Sequence, residues 1–94
     1  MIFVIHGILK QPLPPRDAAF EAALNAHFAQ PLLRIINAGY LRNADGEQVG
    51  VMVLIETESL ARAQAFLEDS PFHSGGFYES VHIAEYDVEV GRVG

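Results

Sequence analysis

The chain has 94 residues, a length suited to one domain, residues 1–94, with a single hydrophobic core. Half of the residues are hydrophobic and 19% are charged, and twelve acids against six basic residues give a formal charge of −6. Without cysteine there is no disulfide scaffold or thiolate chemistry, and without a Lys/Arg cluster (Lys10 is the only lysine) nucleic acid and anionic membranes are poor partners.

The N-terminal run Ile2–Leu9 is apolar and β-branched, broken only by His6 and Gly7, and predicts a strand buried at a sheet centre. It is too short to span a membrane and has no basic leader, so it reads as a strand rather than a signal peptide. A cytoplasmic location is the expectation. The segment KQPLPPRD carries three prolines and predicts a loop. Asp17 can cap a helix from Ala18, on which Phe20, Leu24, His27, Pro31 and Ile35 form one stripe less than about 90° wide. Pro31 cannot donate to the carbonyl of His27, so a kink or a break is expected there. The segment LLRIIN would follow as a second helical piece, stopped by Gly39.

Tyr40–Asn43 predicts a short strand, Asp45-Gly46 a turn, and Val49–Glu56 a strongly apolar strand. Thr57 or Ser59 can cap a second helix bearing Leu60, Ala63 and Leu67 on one face. A loop with Pro71, Gly75 and Gly76 leads to a last strand from Glu79 to about Val90. Its apolar phase shifts between Ile83 and Tyr86, which a bulge or a dimer edge would explain. The C-terminal GRVG is expected to fray. The order β-α-β-β-α-β specifies a ferredoxin-like α+β fold: four antiparallel strands with two helices on one face. The open face then has a use for the apolar excess, as a homodimer interface that higher oligomers can build on.

Four histidines are present, and none has helical metal-ligand spacing to another, so no metal site is expected. His27 is the informative one, because it interrupts an apolar stripe. It is either a satisfied core histidine or an acid/base group facing a pocket. Glu68 and Asp69 end the second helix, where acids oppose the helix dipole. They are either simply solvated or, for Asp69, paired with His27. Ser70 precedes Pro71 and should be extended. Gly75 and Gly76 allow close backbone approach, and their amides could face a developing oxyanion. Phe72, Phe77 and Tyr78 are core or lid. His6, His73 and His82 are candidates to face a ligand or a dimer contact.

The stretch SPFHSGGFYESVHI resembles the signature of the YciI-like (YCII-related) family, with Pro71, Phe72, Gly76, Phe77, Tyr78, Glu79, Val81 and Ile83 matching in order. ETESLARAQAFLED and AHFAQPLLRIINAGYL resemble the family's second helix and the end of its first. The resemblance implies a dimeric α+β barrel and a His–Asp pair in a pocket for acid/base work; acid/base chemistry of this kind needs no cofactor. One branch of the family resembles a dehydrochlorinase acting on a chlorinated hydroxyquinol-type ring. Carried onto this chain, the histidine falls on His27. The aspartate position is occupied by Ser70, with Asp69 one residue earlier, a shift of about 100° around a helix.

Three readings follow. The first is a lyase or isomerase acting on a small cyclic substrate, with His27, Asp69 and Ser70 catalytic and His6, Phe72, His73, Gly75 and Gly76 around the ligand. The second is a non-catalytic module that binds a small metabolite, and the third a dimerisation unit without ligand.

Overall fold

A computed structural model describes residues 1–92 of the protein. Strand β1 (Ile2–Leu9) leads through the proline-rich loop to helix α1 (Ala18–Phe28). Strands β2 (Arg34–Arg42) and β3 (Gln48–Glu56) form a hairpin, followed by helix α2 (Leu60–Glu68), a one-turn helix α3 (Pro71–Ser74) and strand β4 (Tyr78–Glu85). The sheet is antiparallel in the order β2-β3-β1-β4, the ferredoxin-like arrangement.

Alternation along β1 sorts the sheet's two faces. Phe3, Ile5 and Leu9 are buried, and they pack with Val51, Val53 and Ile55 of β3 beneath Leu24, Ala63, Phe66, Leu67 and Phe72 of the helices. Burying each large side chain contributes about 1.5–3 kcal/mol. The other face carries Ile2, Val4, His6 and Ile8 of β1. His6 lies between Met52 and His82 in register, and Val4 lies beside Leu54. No helix of the described residues covers this face, and Met52 remains 37% exposed.

Local chemistry sets the ends of α1 and α2. Asp17 accepts from the Phe20 amide at 2.8 Å and starts α1, and Ser59 accepts from the Arg62 amide at 3.2 Å and starts α2. Between β2 and β3, Asn43 Oδ1 accepts from the amides of Asp45 and Glu47, and Gly46 takes φ 79°. Gly7 answers a different need. A Cβ there would overlap the ring of Tyr78, which crosses β1 on the helix face. A register shift between Ile8 and Leu9 leaves Glu79 unpaired and turns Tyr78 toward that face.

Five expectations are corrected. LLRIIN is not helical: α1 ends at Phe28, and β2 starts at Arg34, well before Tyr40. Gly39 does not stop a helix but pairs with Met52 within β2. The helical spacing of Pro31 and Ile35 was coincidental. The β-branched pair Ile35-Ile36 instead enters the sheet, Ile35 opposite Ile55 and Ile36 as a bulge. The loop after α2 contains α3, so the face carries three helices. Strand β4 ends at Glu85, and the Tyr86 amide makes a last bond to the Ile2 carbonyl at 2.8 Å. The phase shift beyond Ile83 therefore marks the strand's end. Of the GRVG segment, Val93 and Gly94 lie outside the described residues.

Candidate functional site

His27 occupies the last turn of α1. Its ring stacks on Phe66 with centroids 4.1 Å apart at 24°, and meets Phe28 edge-on at 5.7 Å. The end of the helix frees its carbonyl, which accepts from the Gln30 side chain at 3.1 Å. His27 is 8% exposed, and its Nε2 is buried without a hydrogen-bond partner among the described residues. Burial lowers its pKa below the ordinary 6.5, and the Asp69 charge opposes this only in part. The ring is therefore held neutral near pH 7.

Next to His27 is a cavity of about 10 Å³, bordered also by Phe28, Ser70, Phe72 and Tyr78. That is room for about one water molecule. Ser70 is buried and extended, as its place before proline requires, and its Oγ accepts from the Phe72 amide at 3.3 Å to start α3. Burial pushes the Tyr78 phenol up to about 12, opposed by the Ser70 hydroxyl.

Asp69 is the C-cap of α2 and faces outward. Among the described residues no hydrogen bond or ion pair joins it to His27. It borders a separate surface depression with Gln30, Thr57 and Arg62. The inward-facing residue at this helix end is thus Ser70, as the rotation of one helical position dictates.

The remaining candidates scatter. Phe72 is 3% exposed and packs against Phe20, Phe77, Tyr40 and Tyr78. His73 is exposed on α3. The amides of Gly75 and Gly76 donate to the carbonyls of Pro71 and His73 at 2.8 and 3.2 Å, so neither is free for an oxyanion. Gly76 supplies φ 72° for the turn into β4, and a Cβ on Gly75 would press on the Pro71 carbonyl at 2.7 Å. His6 lies on the open face, across the sheet from His27. No group of three or more potential metal ligands occurs among the described residues, and none of their helices is long and apolar enough to cross a membrane.

A larger pocket escaped the sequence reading. It measures about 260 Å³ and lies between α1 and the β2-β3 side of the sheet, lined by Leu24, Phe28, Ala38, Tyr40, Val51 and Phe72. The small side chain of Ala38, opposite Val53 on the helix face, leaves the space. At its edge Arg16 lies 5.6 Å above the Phe72 ring and donates from Nη1 to the Tyr40 hydroxyl. Phe28 and Phe72 border both this pocket and the small His27 cavity.

The sequence matches the YCII-related domain over residues 1–87. The chain belongs to the YCII-related family. No curated protein matches it. Among solved structures, this YCII-related chain resembles 5-chloro-2-hydroxyhydroquinone dehydrochlorinase (TftG) from Burkholderia phenoliruptrix AC1100, in complex with 2,5-dihydroxybenzoquinone. The two share a TM-score of 0.70 and 21% identity over 93% of this chain and 94% of that one. At this identity the likeness establishes the fold.

Proposed function

We propose that this YCII-related protein binds a small ring compound in the pocket between α1 and the β2-β3 hairpin, as a homodimer closed through the open sheet face. The carrying observation is the contrast in volume: about 260 Å³ of mainly apolar space there, against about 10 Å³ beside His27. Leu24, Phe28, Val51 and Phe72 offer flat apolar contact, and Tyr40 offers a hydroxyl at the edge, the usual make-up of a small-molecule site. The ring class is suggested by 2,5-dihydroxybenzoquinone, the compound in the TftG complex. Ile2, Val4, Ile8 and Met52 support the dimer, since they form an apolar face that no described helix covers. A cytoplasmic location belongs to the same reading, with the apolar N-terminal run serving as β1 between β3 and β4.

A second reading, a cofactor-independent lyase or isomerase, is favoured by the unpartnered Nε2 of His27. A neutral imidazole with a free ring nitrogen is in the right state to accept a proton from a ring carbon or hydroxyl. Asp69 would bias the charge and Ser70 would orient the group being deprotonated. Phe28 or Phe72 would have to turn aside, because they form the wall between His27 and the larger pocket.

Titration with 2,5-dihydroxybenzoquinone, followed by amide NMR, tests the first reading. Binding should move the resonances of Ala38, Gly39 and Val51; saturating ligand with no movement there rejects the pocket. Halide release from a chlorinated hydroxyquinol, abolished in His27→Ala, would establish the second reading, and binding without turnover would leave the first alone.

A further inference from the structure

The ring pocket is apolar except at one end, where one cation is held in a definite place. Arg16 lies over three rings, with its guanidinium carbon 5.0, 5.7 and 5.6 Å from the centroids of Phe20, Tyr40 and Phe72. Two of those rings, Tyr40 and Phe72, line the pocket. The guanidinium also forms a fork to Glu21, Nε to Oε2 at 2.6 Å and Nη2 to Oε1 at 2.9 Å, and donates to the Tyr40 hydroxyl.

This arrangement has a chemical direction. The Tyr40 oxygen accepts from Arg16, so its own proton is available to donate elsewhere. The donor is polarised by the charge behind it. Glu21 satisfies Arg16 from the solvent side, and its side chain is 50% exposed against 28% for Arg16. The pair is exposed, so water and other anions compete with Glu21 for the fork. Glu21 can return to water while Arg16 stays on its rings.

We propose that Arg16 and Tyr40 form an anion-recognising end of the pocket, selecting ring compounds that carry an ionised oxygen: a phenolate, an enolate or a carboxylate. The ring lies against Leu24, Phe28, Val51 and Phe72. Its charged oxygen takes the Tyr40 proton and the Arg16 fork, displacing Glu21. The inference rests on the pocket being the ligand site, and it adds the charge of the ligand.

Benzoate and its neutral isostere benzamide separate the two ideas. Their dissociation constants are measured by NMR on the intact protein and on three variants. The wild type should prefer benzoate by about tenfold. Arg16→Gln and Tyr40→Phe should weaken benzoate far more than benzamide and so remove most of that preference, and the benzamide binding that remains certifies that the pocket is still folded. Glu21→Gln should tighten benzoate by about threefold, because the resident competitor is gone. Equal binding of both probes in the wild type, or weaker benzoate binding in Glu21→Gln, overturns the charge selection and leaves the pocket standing. Failure of both probes to bind the wild type overturns the pocket as well.

Discussion

Helix α1 separates two spaces that differ in nearly every respect. On one side His27, Ser70 and Tyr78 border about 10 Å³, with α2 and α3 packed close. On the other, Leu24 and Phe28 border about 260 Å³, with Tyr40 and Arg16 at the edge in contact with solvent. The polar groups fare accordingly. Enclosed, the imidazole is driven neutral and the phenol of Tyr78 is driven up to about 12. At the edge, Arg16 keeps its charge and has three separate partners: a carboxylate, a hydroxyl and a set of rings. Residue types that suggest chemistry therefore identify a site poorly on their own. Access to water and ligand separates a working pocket from a filled one.

Substitutions can break this contrast or sharpen it. The largest effect is expected from Phe72→Ala, which removes a wall common to both spaces. It should cost about 3–5 kcal/mol in urea denaturation and merge the cavities. Next is Gly7→Ala, whose methyl group would displace the Tyr78 ring from above β1. Overpacking of this kind costs about 1–3 kcal/mol, read as a lowered denaturation midpoint.

His27→Leu goes the other way. It replaces a buried nitrogen without a partner by hydrocarbon, and should stabilise the protein by about 1 kcal/mol near neutral pH. The advantage should grow in acid. The folded pKa lies below 6.5, so the unfolded chain takes up the proton first. Stability tied to the neutral ring is complete above pH 6.5 and is lost as the pH falls from there toward the folded value. Thermal midpoints of both proteins at about pH 7.5 and about pH 5.5 measure this; a difference that narrows in acid would refute it. The smallest change is expected for Arg34→Ala, which breaks an exposed cross-strand pair to Glu56 at 2.9 Å, remote from both spaces. It should cost no more than about 1 kcal/mol.

Strands β1 and β3 and helix α2 were legible because apolar runs, a serine cap and turn residues agreed locally. Strand β2 was not, since Pro31 and Ile35 continue the stripe of α1 by chance, and only pairing with β3 decides for a strand. Burial of His27 could be read from its neighbours Phe20 and Leu24. That Ser70, not Asp69, faces inward follows from helix rotation and from the serine before Pro71. The larger pocket left no local trace. It depends on Ala38, Tyr40 and Val51, which only the tertiary fold brings beside Phe72.

The ring of Tyr78 takes the place of a side chain that Gly7 does not have. The two positions, near opposite ends of the chain, are therefore a single heritable unit. A lineage that trades the glycine for a bulkier residue must shrink the tyrosine in the same period of its history. An engineer who transplants the first strand into another scaffold has to carry the last strand with it.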